Sequence, residues 1–215
     1  MNSTFMFGED RFGPEQDYAA TYQALGGRLP AERVQALIGA CYEHLYAQYL
    51  SPAHHERFRT LREAWRALPS THDLPNVELE RLEQTFAAHE LGHVPAVYAA
   101  ALQRLAVTHR LGLVADIWAP KEPWLAELRR AGVLEVFETT VFSSDIGCVK
   151  PSPRGFLTAI QRMQATPDEC VVIGDSARRD VAGARAAGLT AIWVGKGDPP
   201  PGAAHTVRDL LELIP

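Results

Sequence analysis

Asp175 and Asp180 are the residues whose type and spacing speak most directly of chemistry. They lie in Cys170-Val-Val-Ile-Gly-Asp-Ser176 and the Ala-rich stretch behind it, which is punctuated by Gly183 and Gly188. An apolar run that stops at Gly174 reads as a buried strand. It leaves Asp175 at the strand's carboxyl end, where open α/β sheets hold their ligands. Two acidic side chains there suit Mg²⁺, which prefers carboxylate and water oxygens. The plainer reading is one loop carboxylate and one at a helix start, where the macrodipole favours it. Lys150, flanked by Val149 and Pro151-Ser-Pro153, follows another apolar run. It reads as a cation in the same cleft or as an ion-pair partner for Asp175. His89-Glu-Leu-Gly-His93 spells the zinc-protease pattern, with Glu90 as general base. Gly92 and Pro95 place His93 at a helix end, and the usual third histidine does not follow.

The elements that must position these residues come in two textures. Residues 15–93 are helical throughout, with helices expected over 17–25, 30–50, 54–68 and 77–91. In the second, Val34, Leu37, Ile38, Cys41, Leu45 and Tyr49 recur at helical spacing behind a first-turn Pro30. From residue 94 on, helix and strand alternate. Helices are expected over 97–108, 122–131, 152–163, 179–187 and 207–213, and strands over 111–115, 136–142, 171–173 and 190–194. Such alternation implies a parallel sheet covered on both faces. Thr4-Phe-Met-Phe7 is a candidate for one more strand, which makes the helical block an insertion after it. The expected organisation is an α/β, Rossmann-like parallel-sheet core of residues 1–14 and 94–215, carrying an inserted all-helical cap of residues 15–93.

Composition narrows the partners. The 215 residues are 47% hydrophobic and 22% charged, with a net charge of −5 and no block of Lys or Arg. Nucleic acid and anionic membranes are poor partners on these grounds. Cys41, Cys148 and Cys170 form no C-x-x-C pair, which fits free thiols in a reducing compartment. With no apolar stretch of bilayer length and no basic-then-apolar leader, the cytoplasm is the expected location.

The late motifs taken together resemble the haloacid dehalogenase-like superfamily of hydrolases. Gly174-Asp175-Ser176 with Asp180, Gly183 and Ala187-Gly188 is similar to the family's last motif. Ser143-Ser-Asp-Ile-Gly-Cys-Val-Lys150-Pro-Ser-Pro153 is similar to its lysine motif. Leu111-Gly-Leu-Val-Ala115-Asp116 occupies the place of its second motif, and the helical block resembles its mobile cap. The resemblance implies that an aspartate after the first strand attacks a phosphoester and forms a covalent intermediate. It makes Lys150 the charge-stabilising lysine, Asp175 a metal ligand, and Asp180 a metal or neighbouring carboxylate for Mg²⁺. Ala115, Asp116, Trp118 and Ser176 fall among the positions that meet the substrate or its phosphate.

The amino-terminal motif departs from that pattern. Phe5-Met-Phe-Gly-Glu-Asp-Arg-Phe-Gly-Pro14 offers two registers, which put either Met6 or Gly8 where the nucleophilic aspartate belongs. In the Gly8 register Asp10 keeps the acid/base place. Ala115 replaces the usual Ser or Thr, and Asp116 the usual Asn. Losing one hydrogen-bond donor costs about 10²–10³ in rate, whereas losing the nucleophile abolishes the covalent route. The expectation is a hydrolase-like protein without the usual aspartyl chemistry. Its remaining cleft, with weak or no Mg²⁺, would bind a phosphorylated or carboxylated small molecule or a protein partner. The alternatives are a working phosphatase-like hydrolase that recruits Asp10 or Asp116, and a zinc peptidase through His89, Glu90 and His93.

Overall fold

The structure, a computed structural model, describes residues 1–214. Four helices open the chain: α1 (Tyr18–Ala24), α2 (Ala31–Leu50), α3 (Leu61–Ala67) and α4 (Asn76–Glu90). Each start has a local cause. Asp17 accepts from the Ala20 amide at the head of α1, and Thr60 forms a capping box with Glu63 at the head of α3. That cap explains why the third helix begins at Leu61 rather than at 54, with only a 3₁₀ turn over Pro52–His54 before it. Along α2 the expected stripe of Val34, Leu37, Ile38, Cys41 and Leu45 is buried, and it packs with Trp65 and Phe86.

The second half alternates as its sequence requires. It runs α5 (Ala96–Leu105), β1 (Leu111–Ala115), α6 (Glu122–Arg130), β2 (Phe137–Phe142), α7 (Ser143–Ile146), α8 (Arg154–Met163) and β3 (Val171–Gly174). A π turn over Ala177–Val181 then leads into α9 (Ala182–Ala186), followed by β4 (Thr190–Val194) and β5 (His205–Val207). All strand pairs are parallel: β1 with β2, and β3 with β4 with β5. Among the described residues no strand joins β1 to β3. Helix α8 ties the two sheets together. Gly155 lies so close to Val114 of β1 that an added Cβ would sit 3.0 Å from that side chain. One position on, Phe156 packs with Val181, Ala184 and Val172.

Two expected elements are absent in the form anticipated. Residues 4–7 enter neither sheet. The amides of Thr4, Phe5 and Met6 bond back to the Met1 carbonyl through a turn with Ser3 at φ 53°, and Phe7 exchanges two backbone hydrogen bonds with His93. Phe5 and Met6 are both buried, so the apolar pair goes into the core instead of alternating as a half-exposed strand would. The helix expected over 207–213 is replaced by β5 and a 3₁₀ turn over Leu210–Leu213. So short a segment carries the full cost of helix nucleation, and β4 offers it a ladder instead. No helix among the described residues is long and apolar enough to cross a membrane.

Candidate functional site

The carboxyl ends of β1 and β3 open on one cavity of about 280 Å³. Ala115 and Asp116 reach it from β1, and Asp175, Ser176, Arg178, Arg179 and Asp180 from β3 and the turn after it. Lys150 forms its floor, and Tyr42, Tyr46, Tyr49 and Leu50 of α2 face it from the helical side.

Lys150 is held by charge. Its Nζ lies 2.7 Å from Asp180 Oδ1, and both side chains are only 10% exposed. Burial alone would lower the lysine's pKa, but the carboxylates of Asp180 and Asp116 outweigh it and raise it. Asp180 is shifted down: burial pushes it up, and Lys150 more than reverses that. The second Asp180 oxygen accepts the Ser176 amide at 3.0 Å. This fold-back needs a glycine at the strand end, because a Cβ on Gly174 would come within 2.5 Å of Asp180 Cγ. Asp175 accepts the Thr4 hydroxyl at 3.2 Å, and its carbonyl accepts the Trp193 indole N–H at 2.7 Å.

Asp116 is buried and its oxygens are engaged. Both lie 3.2 Å from the Lys150 amide, and one also accepts the Tyr49 hydroxyl at 3.1 Å. Burial raises its pKa against the pull of Lys150. Asp10 is different. It lines the cavity with its backbone at φ 54°, a left-handed conformation uncommon outside glycine, and its carboxylate makes no hydrogen bond among the described residues. The cavity walls desolvate it, and with the Glu9 charge they push it up to about 6 against the pull of Arg179. The residue is itself exposed at the mouth of the cavity.

The loop after β1 is fixed from two sides. Ser143 Oγ donates to the Ile117 carbonyl at 2.7 Å and accepts its amide at 2.8 Å. Glu90, at the end of α4, accepts the amides of Trp118 and Ala119 at 2.6 and 2.9 Å. Complete burial pushes Glu90 up to about 8, although both amides favour the carboxylate. Trp118 is thereby seated among Tyr42, Tyr49 and Phe58, with ring centroids 5.3 to 6.0 Å away.

The structure brings together Asp10, Ala115, Asp116, Trp118, Lys150, Asp175, Ser176 and Asp180 at one cavity. It does not bring Met6 or Gly8 there. Met6 is fully buried against Gly92, and Gly8 occupies a turn at φ 73°. Neither of the two residues expected in the nucleophile's place thus lines this cavity. The groups that face Asp175 are Thr4 and the buried Met1 amine. Burial and Lys150 lower the pKa of that amine, against the pull of the surrounding carboxylates.

The zinc pattern is not assembled. His89 uses Nε2 on Thr21 Oγ1 at 3.0 Å and Nδ1 on the Arg11 carbonyl at 3.2 Å. Helix α4 ends at Glu90, so His93 lies off it and meets Glu127 at 3.2 Å, while Glu90 is spent on backbone amides. Mg²⁺ fits better, but in part. Asp175 has oxygen lone pairs to spare, whereas Asp180 is committed to Lys150, and no cluster of three ligating side chains occurs among the described residues. One carboxylate with waters and a phosphate oxygen is a set that Mg²⁺ accepts.

Tyr42, Tyr46, Tyr49, Arg178 and Arg179 were not legible as site residues, and Glu90 was legible only as a member of the zinc pattern. The tyrosines follow one another at helical intervals, a signal shared by any core-facing stripe.

Comparisons with known proteins bear on this geometry. A family model described as haloacid dehalogenase-like hydrolase matches residues 16–188. A phosphoserine phosphatase of Thermus thermophilus is 36% identical over 39% of the chain and 35% of its own length. A glyceraldehyde 3-phosphate phosphatase of Methanopyrus kandleri is 35% identical over 33% of the chain and 30% of its own length. The chain thus spans about a third of the length of these curated relatives. Among solved structures, an HAD phosphatase from Thermococcus onnurineus aligns with a TM-score of 0.59 at 25% identity, covering 92% of the chain and 85% of its own. A 2-haloacid dehalogenase from Pseudomonas syringae aligns with a TM-score of 0.62 over 99% of the chain and 94% of its own. At 22% identity it speaks for the fold alone.

Proposed function

The chain belongs to the haloacid dehalogenase-like hydrolase family, and from that membership we propose that its cavity takes the phosphate of a small phosphorylated molecule. The single observation behind this reading is the buried Lys150, kept charged by Asp180 and Asp116 at the floor of a cavity fed by both sheets. A buried ammonium so held offers a preorganised charge to an incoming oxyanion, at little reorganisation cost. Residues 1–14 and 94–215 act as the core and residues 15–93 as the cap, with Tyr42, Tyr46 and Trp118 forming the wall against the organic part of the ligand. Mg²⁺ would be held by Asp175, with Asp180 beside it, and when bound it would screen the phosphate's charge. The free cysteines support a reducing, cytoplasmic setting.

Attack is a separate matter. Asp116 already accepts from Lys150 and Tyr49, so neither oxygen is poised as a nucleophile. Met6 and Gly8 lie elsewhere. We therefore propose that these 215 residues bind but do not form an aspartyl intermediate, and that turnover by them alone is vestigial. One feature supports a second reading. Asp10 is unpartnered, faces the cavity and is shifted up to about 6, which suits a general base acting on water near neutral pH. Calorimetric titration with inorganic phosphate, with and without Mg²⁺, tests the binding. An assay of phosphomonoester hydrolysis in wild type and Asp10→Asn separates the readings. Phosphate that fails to bind in either condition removes the first, and turnover lost in the variant establishes the second.

A further inference from the structure

Building on the phosphate reading, we infer that the mouth of the cavity carries a second anion subsite, formed by Arg179 and Arg178 against the tyrosines of α2. Its natural ligand is then a phosphorylated small molecule that bears another oxyanion at its far end.

The cations of the cavity divide into two sets. Lys150, the inner one, is oriented by Asp180 at 2.7 Å, a contact that uses one of its three N–H donors. Arg178 and Arg179 also line the cavity, and neither guanidinium has a hydrogen-bond or ion-pair partner among the described residues. Arg179 is nevertheless held in place. Its guanidinium lies 4.6 Å from the centroid of the Tyr49 ring, a cation–π contact that leaves the N–H fork open. Its backbone is fixed too, because its amide bonds Ser176 Oγ at 3.3 Å in the turn that carries Asp180. Asp10 acts on Arg179 through space without reaching it as an ion pair. An oriented, unpaired guanidinium is an unusual thing to leave in a cleft, and it matches a carboxylate or phosphate in two-pronged fashion. The span between the two sets is paved by aromatic surface: Tyr42 and Tyr46 stack at 5.6 Å with 13° between planes, and Tyr49 lies between Arg179 and Trp118. Inner phosphate and outer oxyanion are thus bridged by an apolar wall.

Glu9 and Asp10 line the same mouth and oppose a second negative charge. They confine it to the arginine side. Asp10→Asn should therefore tighten binding of a phosphate that carries a second oxyanion more than that of inorganic phosphate.

The test is a calorimetric comparison of three probes on the full chain: inorganic phosphate, n-propyl phosphate and its carboxylate-bearing analogue 3-phosphonooxypropanoate. The expected result is that wild type binds the carboxylate analogue about tenfold or more tighter than propyl phosphate, as charge-assisted hydrogen bonds allow. Arg179→Gln is expected to bring that ratio close to one while inorganic phosphate still binds. Arg178→Gln, an exposed position, provides a second reading that does not disturb the Tyr49 contact. Equal affinities in wild type, or a preference that survives both substitutions, overturns the subsite and leaves the phosphate reading standing. If none of the probes binds, that reading fails and the subsite with it.

Discussion

At the residue scale the site is an exercise in compensating buried charge. Lys150, Asp116, Asp175 and Asp180 occupy one cavity floor, and none of the first, second and fourth is left without a partner. Breaking such a pair costs more than the pair contributes, because the surviving charges stay buried. Lys150→Met is expected to destabilise the protein by about 3–5 kcal/mol at neutral pH. The loss should shrink as pH falls and the stranded carboxylates take up protons. Urea unfolding at several pH values reads both effects. Glu90 gives a prediction of opposite sense. Its folded pKa of about 8 lies above the ordinary 4.5, so the folded state binds the extra proton. The penalty is absent below the ordinary value, grows as pH rises, and is complete above pH 8. Stability of the wild type should therefore fall across that window, at most by about 1.4 kcal/mol for each pH unit. Glu90→Gln, which keeps one oxygen for the amides of Trp118 and Ala119, should flatten the slope. An unchanged slope in the variant contradicts the assignment.

At the element scale the site depends on how strands end. β3 ends in a glycine that lets Asp180 fold beneath it, and β1 ends in a loop pinned by Ser143 and Glu90. Gly174→Ala should displace Asp180 from Lys150, costing about 1–3 kcal/mol as overpacking and weakening phosphate binding in parallel. Ser143→Ala leaves the buried Ile117 amide unpaired and should cost about 1–3 kcal/mol, read as a lowered unfolding midpoint. The strands themselves were legible. Leu111–Ala115 and Thr190–Val194 match their expected bounds, because a buried parallel strand writes itself as a short apolar run between breakers. The late loops were legible too, since Asp175, Asp180 and Lys150 do meet. Residues 4–7 were not. Phe5 and Met6 have the composition of a strand, but their amides close a turn onto Met1, a contact that no periodicity encodes. The part played by Glu90 was hidden for a similar reason: its partners are backbone amides 28 and 29 residues away.

At the scale of the molecule, two parallel sheets share a cavity at their carboxyl ends, yet no strand among the described residues joins β1 to β3. Val171 of β3 is 48% exposed, unusual for a strand of a parallel sheet. The Met1 amine is buried beside Lys150, Asp116, Asp175 and Asp180. The central proposal is that the cleft binds phosphate without an attacking side chain of its own. The direct measurement is single-turnover chemistry on the 215-residue protein with a generic phosphomonoester and Mg²⁺, following free phosphate and any phosphorylated protein by intact mass. The prediction is saturable binding with neither product. A phosphorylated carboxylate on this chain, mapped to Asp10 or Asp116, would contradict it.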